Sequence, residues 1–277
     1  MKIKREEAKE IKWHILLGLI TILLIFPIIF AVSSSFKDIK ELTNNPLALI
    51  PQNFTFNNYF QVLDRMPFGT ITYNTVFIAT IVTVFKIVTS IMAAYAFVYF
   101  DFKFKSLLYF IFISTIFIPF TVIMIPNFLT ISSLGLNDNL LGVVLPQLSD
   151  ATGIFLIRQS MKSVPKSLIE VAELENLSHF RRIKDVIFPI IRPAVISTGI
   201  MFFINSWNEY VWPMLILKSQ DNYTLSLALQ SFMSSEGGTD FTVAMTVSVI
   251  TMVIPLILYL FFQKYIINTF ASSGIKG

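Results

Sequence analysis

The sequence predicts an all-α integral membrane protein of six transmembrane helices with both termini in the cytoplasm. Three observations lead there. Hydrophobic residues make up 55% and charged residues 14% of the 277-residue chain, with a mean hydropathy of +0.70, far from the balance of a soluble domain. Apolar blocks long enough to cross a bilayer recur along the chain, and Lys and Arg crowd into alternate connecting pieces.

A span needs about 20 mainly apolar residues at about 1.5 Å each, and Ile15 to Phe36 supplies 22 without a charge. Its basic start and Ala31-Val32-Ser33 imitate a cleavable signal, but the run is too long for a signal's apolar core. It reads as a retained anchor. The further blocks are Gly69 to Phe100, interrupted by Lys86; Ser106 to Thr130; Leu140 to Ile157, containing Asp150; Pro193 to Leu217, containing Glu209; and Phe241 to Gln263. Prolines 27, 119, 126, 146, 213 and 255 fall inside these spans. Neighbouring helices can satisfy the carbonyls they free, so kinks for packing are their expected role. The connecting pieces are too short to fold alone, and residues 1–277 read as one membrane domain.

Orientation follows from the positive charges. With the N-terminus inside, the cytoplasmic pieces carry five, two, seven and two Lys or Arg residues, against four outside (Lys37, Lys40, Arg65 and Lys218). The net charge of +4 therefore reflects topology and gives no reason to expect a nucleic-acid partner. The chain has no cysteine, which removes disulfides, Cys-ligated metals and thiol catalysis. Its two histidines, His14 and His179, sit far apart in sequence, so the His/Asp/Glu cluster that a metal or acid–base site requires is not visible. An enzyme is not expected, and no metal or other cofactor is.

The longest charged stretch of the second half, Pro165 to Pro189, can be built as helix, turn, helix. Ser167 with Glu170 three residues on has the form of a capping box, which predicts a helix from Leu168. Asn176 occupies the position where helices reverse through the left-handed conformation, for which Asn substitutes for Gly. Ser178 can cap a second helix that Pro189 and Pro193 should end before the fifth span. On charge and pattern alone, an amphipathic helix lying on the membrane fits as well.

The spacing of Glu170-Val171-Ala172, then Asn176, then Val186-Ile187-Phe188-Pro189 resembles the EAA loop of bacterial ABC importer permeases. That pattern is Glu-Ala-Ala, three residues, Gly, nine residues, Ile, any residue, Leu-Pro. Val171, Asn176 and Phe188 depart from it in identity, and the spacing is kept throughout. Ser34-Ser35-Phe36-Lys37, Asn58-Tyr59-Phe60, Asn205-Ser206-Trp207-Asn208-Glu209-Tyr210 and the ending Gly274-Ile275-Lys276-Gly277 are similar to sugar-importer permeases related to the maltose system's second membrane subunit. In the tail, Asn268 stands where a Gly is commoner.

The resemblance implies a type I ABC importer architecture in which the EAA loop is a cytoplasmic coupling element. It also implies a second homologous permease subunit forming a heterodimer, two ATP-binding subunits, an extracellular solute-binding protein and a carbohydrate substrate. The phosphate-loop motif is absent, so ATP belongs to the separate ATPase subunits. By the same resemblance Glu170 anchors the ATPase contact, Val171 and Ala172 complete the motif with Ala172 allowing close approach, Asn176 forms the turn and Pro189 closes the pattern. Lys218 to Asp240, ending Glu236-Gly237-Gly238-Thr239-Asp240, is the candidate for touching the binding protein, and a plain connector fits it equally.

Ionisable groups within a membrane are costly and often functional. Lys86, Asp150, Asn208 and Glu209 are the candidates for a translocation path. A structural ion pair explains Lys86 as well, and the aromatics around Glu209 also suit an ordinary interface belt. An ATP-independent secondary transporter or channel is the rival function. An importer of a sugar derivative, such as an acidic sugar or a glycerol phosphate ester, is the rival substrate class.

Overall fold

The computed structural model describes residues 2–234 and 241–274, with side chains described for 11–233 and 241–264. The segment Glu236 to Asp240 and the tail Ile275 to Gly277 lie outside the described residues. Every described element is helical. Four helical stretches are long and apolar enough to cross a membrane: Ile11–Ser35, Phe68–Tyr99, His179–Asn208 and Phe241–Lys264. Two bent pairs bring the candidates to as many as six. The chain divides into two compact units, Met1–Phe68 with Leu229–Val253, and Gly69–Ala228 with Ile254–Gly277.

In the first unit, helix α1 (Lys2–Ser35) runs through Pro27 and exposes its apolar residues, Leu23 at 73% for example, as a segment solvated by lipid does. The chain beyond it is knitted by polar contacts. Short helix α2 (Ile39–Asn44) is capped by Asp38, and the Glu41 carboxylate accepts hydrogen bonds from the backbone N–H groups of Gln52 (2.7 Å) and Asn53 (3.1 Å). Asn58, buried on α3 (Asn57–Arg65), donates to the carbonyls of Ser35 (2.9 Å) and Lys37 (2.7 Å), and Thr242 donates to its Oδ1 (3.2 Å). Lys37 is itself buried and donates to the Ala48 carbonyl. The two short motifs that looked separate in sequence, Ser34 to Lys37 and Asn58 to Phe60, are thus halves of one buried hydrogen-bonded joint. Val62, Val243 and Val247 form the apolar centre beside it.

The second unit is built on α4 (Phe68–Tyr99), followed by α5 (Lys105–Ser114), α6 (Phe120–Ser133), α7 (Leu140–Val144) and α8 (Ala151–Met161). Where the sequence suggested an unbroken span over 106–130, the pair Lys105–Phe117 and Phe120–Ser133 bends by 99°. Pro119 is the cause: it has no N–H to continue the ladder and pushes Ile118 into extended backbone, ψ 115°. The span suggested over 140–157 likewise bends by 46°, between Gln147 and Ala151. Asp150 caps the new helix there, its Oδ1 accepting from the N–H groups of Thr152 (2.8 Å) and Gly153 (3.3 Å).

After α9 (Lys166–Leu174) and α10 (His179–Arg181), a π-helical turn, Arg182–Ile187, leads into α11 (Phe188–Asn208). The prolines expected to end this helix do not. Pro189 falls in the first turn of α11, and the preceding π turn bonds the Phe188 N–H to the Ile183 carbonyl. The widened turn carries the helix past a residue that cannot donate. Pro193 is carried inside α11, whose far end breaks at Glu209 and Tyr210 before α12 (Val211–Ile216). The helix that enters the fifth apolar block therefore starts earlier and stops sooner than the block itself, Pro193 to Leu217. Helices α13 (Leu225–Ser234) and α14 (Phe241–Gly274) complete the chain.

Among the described residues two apolar clusters lie in this unit, one around Val82, Val143, Trp212 and Ile216, the other around Ala94, Ile157, Met161 and Ile187. Gly153 lies where a Cβ would meet Ser90 Oγ at 2.4 Å and the Phe202 ring at 2.6 Å, so α8 sits against its neighbours with no room for a side chain. The connection before α7 is clasped to the one after α12. Asp138, at φ 55°, accepts through Oδ1 from the N–H groups of Lys218 (2.8 Å) and Ser219 (3.0 Å). Those donors hold its carboxyl well below the usual carboxylate range. A group with a lowered folded pKa contributes stability that is complete above its ordinary value, about 3.8, and is lost as pH falls. Asp138→Asn, which tolerates the same backbone conformation, should cost about 1 kcal/mol after solvent screening. Thermal melts of both proteins in detergent should differ by a constant amount from pH 5 to 8 and converge in stronger acid; a gap that widens in acid would refute this account.

Candidate functional site

Two places in the second unit gather the residues singled out from sequence. The first is the loop from Pro165 to Pro189. The predicted capping box is not formed: Pro165, at φ −57°, is the cap residue and α9 begins at Lys166, which leaves Ser167 inside the first turn. The end of α9 is built as expected. Asn176 has φ 51°, the N–H of Leu177 donates to the Ala172 carbonyl (3.0 Å), and the N–H of Asn176 donates to the Glu173 carbonyl (2.9 Å). That pair of bonds is a Schellman closure, with Asn in the place Gly usually takes. Ser178 then caps α10, accepting from the Arg181 N–H at 3.5 Å.

Arg182 locks the turn. Its Nε donates to the Leu177 carbonyl (2.8 Å) and its terminal nitrogen to the Glu173 carboxylate (2.7 Å), so one guanidinium spans both helices. His179 fixes the loop to α4: its Nδ1 is 2.9 Å from the Tyr95 hydroxyl, and its ring stands edge-on to Tyr95 and Phe100. Neither role is visible in sequence. Glu173 and Arg182 are nine positions apart, a spacing that means nothing until the turn folds them together.

The loop has an inner and an outer face. Ala172 is 2% exposed, and Ile169 packs on the cluster holding Met161 and Ile187. Glu170 and Val171 face outward, with Leu174 at 83% and Phe180 at 73% exposed. Of the two exposed carboxylates of α9, Glu173 is held by Arg182, and Glu170, with no ion pair among the described residues, stands among exposed apolar side chains. This composition suits a docking face rather than a solvated one.

The second place is a cavity of about 290 Å³ lined by Lys86, Asn127, Gln147, Asp150, Glu209 and Trp212, among others. Lys86 Nζ lies 3.1 Å from Asp150 Oδ2, with the two side chains 14% and 27% exposed, and 5.0 Å from the centre of the Phe202 ring. Glu209 ends α11 and starts α12, its Oε1 accepting from the N–H groups of Val211 (3.0 Å) and Trp212 (3.2 Å). Three ionisable residues scattered over 124 positions therefore meet in one cavity, the two carboxylates at broken helix ends. Asn208 is exposed and is not among the lining residues. Among the described residues, no group of three His, Asp or Glu could hold a metal ion.

Residues 86–271 match the family described as binding-protein-dependent transport system inner membrane component, and the chain belongs to that family. It is a membrane-spanning permease subunit of an ABC importer: a multi-pass protein of the cytoplasmic membrane, and not an enzyme. It is 28% identical over 279 residues to the arabinooligosaccharides transport system permease protein AraQ of Halalkalibacterium halodurans, covering 99% of this chain and 100% of that one. It is 28% identical over 278 residues to the sn-glycerol-3-phosphate transport system permease protein UgpE of Yersinia pestis, covering 98% and 99%. Among solved structures it is similar, at a TM-score of 0.84 and 25% identity, to a chain from a bacterial ABC transporter involved in the import of the acidic polysaccharide alginate, with 94% and 97% of the two chains covered.

Two expectations follow from this geometry. Asn176→Gly should leave the melting temperature unchanged or raise it, whereas Asn176→Val, which pays the left-handed penalty with a branched side chain, should cost about 1–2 kcal/mol. Equal melts would show that the turn does not hold the loop. At the cavity, Lys86→Met should destabilise the protein more than the double change Lys86→Met with Asp150→Asn, because the single change strands a half-buried carboxylate. Asn keeps the helix cap, so a double variant no better than the single one would sink the ion-pair account.

Proposed function

We propose that this chain carries a carbohydrate across the cytoplasmic membrane by alternating access, as one half of a permease heterodimer. In this reading residues 1–277 are a single permease domain that crosses the bilayer six times, each bent pair counting as one span, with both termini and the Pro165–Pro189 loop in the cytoplasm. The charge distribution supports that orientation. ATP is bound by two separate subunits, and a solute-binding protein delivers the substrate from outside.

The observation that carries the coupling role is the rigid α9 turn, closed by Asn176 and clamped by Arg182, with Glu170 and Val171 on its outer face. A docking element has to be stiff to pass on a displacement. Glu170 supplies the polar anchor, Ala172 lets α9 lie close against its own chain, and Pro189 marks where the loop becomes a membrane helix. Lys86, Asp150 and Glu209 line the path, and Asn208 stands beside it.

Among carbohydrates, the cavity favours neutral ones. Its single cation is neutralised by Asp150, and Glu209 leaves the lining with an excess of negative charge. An acidic sugar or a glycerol phosphate ester would meet repulsion there. Relatives named for arabinooligosaccharides and for sn-glycerol-3-phosphate mark the two options.

The test is reconstitution with the cognate ATPase and binding protein. Uptake of a neutral oligosaccharide should require all components, and Glu170→Ala should lower both ATPase recovery on the permease and uptake by roughly tenfold or more, the loss of one charged interface anchor. Uptake that persists without the ATPase would mean a secondary transporter or channel.

A further inference from the structure

A second cavity of the same unit, about 470 Å³, opens beside the Pro165–Pro189 loop and shares no lining residue with the one that holds Lys86, Asp150 and Glu209. Lys105, Arg158, Lys162 and Lys166 line it, against one carboxylate, Glu170. Among the described residues Lys105 has a partner, Asp101 at 3.4 Å, and no carboxylate lies within ion-pair distance of the other three. Arg158 lays its guanidinium on the Tyr109 ring at 3.8 Å, while its Nε is buried with no hydrogen-bond partner among the described residues. A buried N–H of this kind is costly unless an acceptor arrives. The remaining wall is apolar, including Phe97, Met161 and Val164.

We infer that this cavity binds the phosphate group of an anionic phospholipid, its headgroup held by Arg158, Lys162 and Lys166. Phosphate matches the charge and brings several acceptor oxygens to a guanidinium fork and two ammonium groups. The apolar wall distinguishes a lipid from free phosphate, and it continues from Phe97 to Phe112 of α5, whose ring centre is 5.9 Å from that of Phe97 and which is 43% exposed. An acyl chain has an apolar surface to follow directly from the headgroup. Basic cavities at the cytoplasmic ends of membrane helices hold anionic headgroups by this combination of charge and apolar wall. Assigning the cytoplasmic leaflet rests on the orientation proposed above; the anion chemistry does not. Because Lys166, Ile169 and Glu170 of α9 form one wall, a bound headgroup also touches the coupling helix.

The experiment is native mass spectrometry of the full chain, purified with its partners from nanodiscs of phosphatidylcholine with or without phosphatidylglycerol. Wild type should retain phosphatidylglycerol in preference to phosphatidylcholine, and saturating inorganic phosphate should not displace it. Lys162→Gln should weaken retention and Arg158→Gln with Lys162→Gln should lower it roughly tenfold or more, as the loss of two charges near an anionic headgroup implies. The single variant leaves the Arg158–Tyr109 stack intact, so its result stands if the double variant fails to fold. Equal retention of the two lipids, variants that bind like wild type, or complete displacement by phosphate would overturn the proposal. Since the chain has no cysteine, Ser163→Cys reports orientation separately through an impermeant maleimide. Labelling from the outside would overturn the leaflet assignment while leaving lipid retention to be judged on its own.

Discussion

A helix that stops inside hydrocarbon leaves backbone N–H groups that lipid cannot satisfy, so each break within a membrane helix must be met by protein. In the second unit two carboxylates meet that demand. Asp150 caps α8 and Glu209 caps α12, each through two backbone N–H groups. The remaining features of the cavity follow from this placement. A carboxylate brought in as a cap needs its charge answered, and Lys86 answers Asp150. Positioning the caps also gathers polar side chains, so a site with hydrogen-bonding capacity appears where the helices are interrupted. Charge within an apolar block and a broken helix are therefore one feature seen from two sides.

How much of this was legible in sequence depends on which force wrote it. The long apolar runs behind α1, α4 and α14 could be read because transfer to lipid needs only enough hydrophobic residues in a row. The breaks could not, because an apolar block has the same composition whether its helix is straight or bent. Pro119 was visible inside its span, but its 99° consequence depends on where the following helix finds packing partners. Proline misled in the other direction at Pro189, where a π turn absorbs the missing donor. Lys86, Asp150 and Glu209 stood out as expensive charges, while their meeting in one cavity required the folded chain.

The loop from Pro165 to Pro189 shows the same division. Asn176 could be read from spacing alone, since few residues accept positive φ and Asn at a helix end is one of them. The capping box at Ser167 and Glu170 had the right pattern, yet Pro165 starts the helix early and Ser167 is too far along to cap it. Arg182 and His179 gave no sequence signal, because their partners, Glu173 and Tyr95, are brought near by the turn and by α4. Side chains that pin one element to another are the part of a site that periodicity does not encode.

The helical run from His179 to Asn208 counts 30 residues without interruption, its π turn included. At about 1.5 Å per residue it is a rod of roughly 45 Å, joined at one end to the clamped loop and at the other to the Glu209 cap. A rod of that length is a lever. A tilt of about 5° at the loop end displaces the far end by about 4 Å, more than the length of a hydrogen bond. Had Pro189 and Pro193 broken the helix, the same tilt would have been spent in the joint. The six-residue π turn is what keeps the lever in one piece.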